Sequence, residues 1–240
     1  MILINNISKS FGRTKVLDQL TLEFFKGQSI ALIGPNGSGK TTLIKCLLGL
    51  VVPSNGSISI GGTDVKGAWL HRSKIGYMPQ IGRYPDNITV MQLLNMIKEI
   101  RKGTYTHLDE ELLHSFDIYR FGNKSMRSLS GGMRQKVSAC LTFMFDPEIL
   151  ILDEPTAGLD PISAEILKGK VKAEKEKGKL VIITSHILSD LEELTEEVVY
   201  LNEGKIVFFK KVAAIKAETD SVHLSKAIAR IMEKQYALEN

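Results

Sequence analysis

Gly34-Pro35-Asn36-Gly37-Ser38-Gly39-Lys40-Thr41-Thr42 is the stretch on which the fold turns. Ahead of it, residues 29–33 form a short, nearly continuous apolar run, and behind it residues 40–48 carry a helical pattern, so the segment reads as strand, loop, helix. Glycines stand at both ends of a phosphate-loop pattern and Lys-Thr closes it. In such a loop the backbone N–H groups curl around β- and γ-phosphates and the helix adds its positive N-terminus. Lys40 neutralises phosphate charge and Thr41 reaches Mg²⁺. A Gly-rich turn without a ligand is the alternative, and the flanking strand and helix argue against it.

On the N-terminal side, Ile2 and Ile4, then Leu17, Leu20, Leu22 and Phe24, sit mostly two apart and are broken by Gly12 and Gly27, the pattern of an antiparallel sheet edge. On the C-terminal side, Pro53, Asn55 and Gly56 turn the chain into residues 57–60, and Gly61, Gly62 and Asp64 turn it again before an apolar stretch ending near Met78. From Val90 to about Phe145 the period becomes helical, with Val90, Leu93, Leu94 and Ile97 on one face and Leu112, Leu113 and Phe116 repeating the theme. Strand-like runs return at 149–152 and 180–184 with a helix at 164–177 between them, the βαβ logic of a parallel sheet. Residues 198–201 and 206–209 read as a terminal hairpin and 221–238 as one amphipathic helix.

A 240-residue chain with 43% hydrophobic and 24% charged residues can bury a substantial core, which excludes a disordered chain. The net charge of +4 is small and its Lys and Arg are spread, so no nucleic-acid partner is expected. The densest basic stretch, 168–179, interleaves Lys170, Lys172, Lys175 and Lys177 with Glu174 and Glu176 and reads as a solvated helix face. Cys46 and Cys140 lie in apolar helical patterns, as small core residues of a reducing compartment. Residues 1–10 lack a signal-peptide pattern and no run approaches the roughly 18 apolar residues that span a bilayer, so any membrane role is expected to go through a partner.

The apolar run 149–152 ends in Asp153 and Glu154, which puts two carboxylates at the C-terminal end of a buried strand, beside the phosphate loop. Asp153 is placed to hold Mg²⁺ through water and Glu154 to polarise an attacking water. Alone, such an ending is an ordinary strand terminus; downstream of a phosphate loop it completes a site. Between the two lies Leu129-Ser130-Gly131-Gly132-Met133. Ser130, Gly131 and Gly132 cap a helix with Met133, Val137, Cys140, Leu141 and Met144 on one face, and its N-terminus is a second anion site. With this signature ahead of Asp153, the chain resembles the nucleotide-binding domain of ATP-binding cassette (ABC) proteins. Leu-Ser-Gly-Gly separates that family from other phosphate-loop ATPases; its fifth position is often Gln, and Met133 is a frequent variant.

The resemblance implies ATP and Mg²⁺ as ligands, with Gly34 to Thr42 around the phosphates. Ser130, Gly131 and Gly132 would grip the γ-phosphate held by an opposite subunit, which implies a homodimer or a second cassette. Gln80 resembles the Q-loop glutamine, which touches Mg²⁺ and the attacking water and connects to a transmembrane partner. His186 resembles the switch histidine that contacts the γ-phosphate. Either one alone would be an ordinary surface residue; their order and spacing count. Asp160 resembles the D-loop that crosses the dimer interface. Phe11 resembles the aromatic that stacks on adenine, usually Tyr in the family, where Phe keeps the π-face. Thr41, Gln80 and Asp153 are thus the implied metal ligands, and Glu154, His186, Gln80 and Lys40 the implied catalytic set.

The fold implied is α/β: a parallel-sheet ATPase core, an N-terminal antiparallel sheet and a helical subdomain at about 81–145. The cassette would occupy 1–209, with 210–240 a helical extension that pads it or docks a partner. The activity implied is hydrolysis of ATP to ADP and phosphate, with ATP closing the dimer and hydrolysis reopening it. The first use of that cycle is a transporter motor, cytoplasmic and held on the inner face of the membrane by a separate integral membrane subunit. The pattern Thr184-Ser185-His186-Ile187-Leu188-Ser189-Asp190-Leu191-Glu192-Glu193-Leu194 is similar to cassettes of simple bacterial exporters. A soluble assembly ATPase, similar to the cassette serving iron-sulfur scaffolds, is the alternative. Chromosome- or ribosome-associated cassettes need coiled coils or a second cassette that this length does not hold. Residues 75–95 also resemble the cassette linked to copper-site maturation of nitrous oxide reductase, although Met78, Met91 and Met96 read as core and not as copper ligands.

Overall fold

The computed structural model describes residues 1–67 and 69–239. Its strands, in chain order, are β1 (Ile2–Phe11), β2 (Thr14–Phe24), β3 (Ser29–Ile33), β4 (Asn55–Ile60), β5 (Thr63–Asp64), β6 (Ile75–Met78), β7 (Ile149–Asp153), β8 (Leu180–Thr184), β9 (Glu197–Asn202) and β10 (Lys205–Lys211). The α-helices are α1 (Lys40–Leu47), α2 (Val90–Ile100), α3 (Glu111–Ser115), α4 (Gly131–Phe143), α5 (Pro161–Glu176), α6 (Leu188–Leu194), α7 (Val212–Glu218) and α8 (Leu224–Glu239). Two compact units result, one of Met1–Trp69 with Leu180–Asn240 and one of Leu70–Lys179.

In the first unit, β2, β1, β4 and β5 form an antiparallel sheet in that order. The buried apolar positions of β1 are Ile2, Ile4 and Ile7, and those of β2 are Leu17, Leu20, Leu22 and Phe24. Each strand changes parity once because each carries a residue in the left-handed region, Asn6 at φ 49° and Gln19 at φ 54°, where the pairing register shifts. A bulge of this kind inserts a residue and returns the apolar side chains to the core face. A parallel set runs through the same unit: β3 pairs with β8 (Ile30↔Ile182) and with β9 (Leu32↔Val199), while β10 turns back antiparallel on β9. All residues of β3 and β8 are buried, which explains their nearly unbroken apolar sequences. Beyond β10, α8 is the helix expected at 221–238, with Leu224, Ala227 and Ile228 buried, and a further helix, α7, precedes it at 212–218.

In the second unit, β6 and β7 pair in parallel from Ile75↔Ile149 to Met78↔Leu152. Helix α2 starts at a capping box in which Thr89 and Gln92 satisfy each other's backbone N–H groups. Its Val90, Leu93 and Leu94 are buried, as are Leu112, Leu113 and Phe116 in and after α3.

Two sequence expectations are corrected here. The face assigned to α4 holds for Val137, Cys140 and Met144, but Met133 and Leu141 are only partly covered, and Gln135, Ser138 and Thr142 are buried instead. Packing covers α4 on more than one side, and two of these polar side chains reach carbonyls inside: Gln135 Nε2 those of Glu154 and Pro155, and Thr142 Oγ1 those of Tyr77 (3.1 Å) and Ser138 (2.8 Å). The second correction concerns the stretch 168–179, which is not solvated throughout. Lys170 and Glu174 are 2% and 1% exposed. Lys170 reaches Asp109 (2.5 Å), Glu111 (2.6 Å) and Glu174 (3.0 Å), and Glu174 also meets Lys177 (2.8 Å) and Lys179. Charge periodicity on a helix does not show which turn a neighbouring loop covers, and residues 109–111 come from far along the chain.

Candidate functional site

The first unit carries the phosphate loop. Strand β3 ends at Ile33, the chain turns through Gly34 to Gly39, and α1 begins at Lys40. Gly34 stands at φ 152°, and a Cβ there would lie 2.0 Å from the Leu201 carbonyl oxygen on β9, so only glycine fits. The loop is closed by Ser38 N–H donating to the Pro35 carbonyl (3.2 Å) and Gly204 N–H to the Ser38 carbonyl (3.0 Å). Lys40 Nζ folds back over the loop and donates to the carbonyls of Gly34 (2.7 Å) and Pro35 (3.1 Å). Ser38 Oγ is buried and, among the described residues, has no hydrogen-bond partner, an orphan hydroxyl inside an anion-type cradle. Pro35, Asn36, Gly37 and Thr41 are exposed and Thr42 is half-buried.

His186, also in this unit, is exposed in the short link between β8 and α6. Phe11 ends β1 opposite Thr14, is 51% exposed, and has the Lys9 ammonium 5.1 Å from its ring centroid. A flat, accessible ring with a cation beside it can stack on a planar base.

The second unit carries the carboxylates and the signature. Asp153 ends β7 and Glu154 follows it, both more than nine-tenths buried. Glu154 holds φ 54°, a conformation that costs a non-glycine residue about 1–3 kcal/mol and persists where surroundings enforce it. Its carbonyl accepts from Ala157 N–H (3.1 Å) and from the buried Gln135 Nε2 (3.4 Å), which also reaches the Pro155 carbonyl (3.3 Å). Burial, with the Asp153 charge nearby, pushes the Tyr77 phenol up to about 12.

Ser130 caps α4 by accepting from Met133 N–H (3.3 Å), as its residue type requires. Gly131 is exposed; a Cβ on Gly132 would lie 2.6 Å from the Gly158 carbonyl, so α4 and residues 157–160 touch backbone to backbone. Asp160 caps α5, accepting from Ser163 N–H (2.9 Å) and Oγ (2.7 Å), and pairs with Lys136 of α4 (2.9 Å). The Ser163 hydrogen bonds, joined by Lys136, hold its carboxyl well below the usual range. Signature and Asp160 are therefore fastened together. Gln80 is exposed just past β6, and the loop after it is tied to 122–127: Met126 N–H donates to Ile88 (2.9 Å) and Arg127 N–H to Asp86 (3.2 Å).

Sequence reading passed over Gln135 and Lys136, the two α4 residues that join the signature to Glu154 and Asp160. Their position directly after the signature was the available signal, hidden because a polar pair on a helix reads as solvent-facing.

Comparison with known proteins matches the geometry. Residues 17–157 match the ABC transporter family. The ABC transporter ATP-binding protein YhaQ of Bacillus subtilis is 36% identical over 219 residues, covering 90% of this chain and 73% of that protein. The lantibiotic transport ATP-binding protein SrtF of Streptococcus pyogenes is 33% identical over 88% of this chain and 91% of its own length. The bacitracin transport ATP-binding protein BcrA of Enterococcus faecalis is 31% identical over 96% and 77%. Among solved structures, an ATP-binding subunit of an ABC transporter superposes with a TM-score of 0.88 at 27% identity, covering 97% of this chain and 99% of that one. The phosphate loop, paired carboxylates and signature thus stand in a chain that belongs to the ABC transporter family, as one of its ATP-hydrolysing cassettes.

Proposed function

We propose that this chain is the ATPase subunit of a transporter, held at the inner face of the membrane by a separate integral membrane protein and closing on a second cassette when ATP is bound. The observation that carries the reading is the 34–39 loop, with its orphan Ser38 hydroxyl and Lys40 ammonium returned across it. Lys40 exchanges those carbonyls for phosphate oxygens, and the N–H groups at the start of α1 complete the cradle. Phe11 stacks on adenine. Thr41, Gln80 and Asp153 supply oxygen donors, the ligand type that Mg²⁺ selects. Mg²⁺, when bound, neutralises phosphate charge. Glu154 accepts the proton of the attacking water as the bond from the γ-phosphorus to the ADP oxygen breaks, and His186 orients the γ-phosphate. Ser130 to Gly132 of one chain reach the nucleotide on the other, and Asp160 lies at the same interface.

Relatives named for lantibiotic and bacitracin transport support the transporter use over iron-sulfur assembly. Among the described residues no helix is long and apolar enough to cross a membrane. Lys40→Ala should abolish ATP turnover in a phosphate-release assay with an unchanged circular dichroism spectrum, and co-purification should recover an integral membrane protein. Wild-type turnover in Lys40→Ala overturns the loop assignment; recovery of a soluble scaffold alone overturns the transporter use.

A further inference from the structure

The tail after β10 is built onto the segment that carries His186. Strand β8 is fixed by its pairing with β3, so the position of His186 depends on its other tether, the seven-residue helix α6. That helix has no side-chain cap at its start, where Ser185 Oγ only accepts from Ile187 N–H (2.9 Å). Its last turn is anchored by Leu191 and Leu194, both buried, and by Glu192. The Glu192 carboxylate is divided between the two tail helices: Oε1 pairs with Lys216 of α7, and Oε2 accepts from Leu224 N–H at the start of α8 (2.9 Å). Arg230 of α8 closes the same turn by donating to the carbonyls of Thr219 and Asp220. One carboxylate therefore ties α6, α7 and α8 together, six residues after His186.

We infer that α7 and α8 brace the His186 segment, and that Glu192 is a positioning residue which sets the place of His186 through α6 and thereby the rate of ATP hydrolysis. This rests on the role assigned to His186 above. The bonds of Glu192 described here go to α7 and α8 and not to the phosphate loop, so their loss should lower kcat and leave nucleotide affinity alone. Small displacements of a group that orients the reacting phosphate cost large factors in rate.

The test is a steady-state ATPase assay on the full chain with Glu192→Ala, Glu192→Gln, His186→Ala and the double variant Glu192→Ala/His186→Ala. Glu192→Ala should lower kcat about tenfold with KM within about twofold, because a misplaced orienting group affects the chemical step and not binding. Glu192→Gln keeps an oxygen for Leu224 N–H and should recover most of that loss. The double variant should be no slower than His186→Ala, since residues acting through one another are not additive. Wild-type kcat in Glu192→Ala, or multiplying losses in the double variant, overturns the inference while the role of His186 stands. Wild-type kcat in His186→Ala removes that role, and the inference with it.

Discussion

Glu174→Gln should destabilise the protein by about 3 kcal/mol at neutral pH, an amount set by how the buried carboxylate is partnered. Burial alone would push this carboxyl up; hydrogen bonds from Lys177, Lys179 and Lys170 override it and hold it at about 2, against an ordinary 4.5. That depression corresponds to about 3 kcal/mol at about 1.4 kcal/mol per tenfold. Stripping a buried charge of its only partner costs about 3–5 kcal/mol, but here Lys170 keeps Asp109 and Glu111 and Lys179 keeps Asp146, so the lower figure applies. In a chain of this length the thermal midpoint should fall by roughly 6–12 °C. The sign with pH follows from a folded pKa below the unfolded one. The contribution is fully present above about pH 4.5 and is lost as pH falls through about 2, so variant and wild type should converge on acidification. Urea unfolding followed by circular dichroism from pH 8 to pH 3 measures this. Glu99→Gln is the control, since its pair with Lys102 is about three-quarters exposed and should be worth under about 0.5 kcal/mol. A Glu174→Gln difference below about 1 kcal/mol at pH 7, or one that does not shrink below pH 4.5, refutes the reasoning.

Gly34→Ala should abolish ATP binding or cost about 2 kcal/mol or more by differential scanning, because its Cβ meets a carbonyl oxygen at 2.0 Å. Gly37→Ala, with none of the described residues within 4 Å of the added Cβ and φ 81°, should cost only about 1 kcal/mol in the same scan. Glu154→Gln should slow hydrolysis by about 10² or more and accumulate an ATP-bound dimer, and Ser130→Arg on the same chain should prevent it. Light scattering after size exclusion, with and without Mg-ATP, reads both; a monomer at tens of micromolar with saturating ATP counts against self-dimerisation. Substitutions in 82–87 should weaken pull-down of the membrane subunit more than nucleotide affinity; equal loss of both would make that loop structural.

The amino-acid sequence by itself determined the strand-loop-helix at 29–47, the carboxylate pair at the end of β7 and the capped signature, because each rests on contacts within a few residues: a glycine turn, a helix N-terminus, a Ser130 cap. It determined equally the fully buried β3 and β8, whose nearly unbroken apolar runs fit only strands covered on both faces. Only the tertiary structure decided what depends on segments distant in sequence. The parity changes at Asn6 and Gln19 are settled by partner strands. Gln135 is buried because the carbonyls of Glu154 and Pro155 are there to receive it, and Lys136 is held by Asp160 across backbone contact at Gly132. Lys170 and Glu174 leave solvent because residues 109–111 close over their turn of α5. A polar side chain on a helix looks the same in sequence whether water or a distant carboxylate satisfies it, and the difference is made by what packs against it.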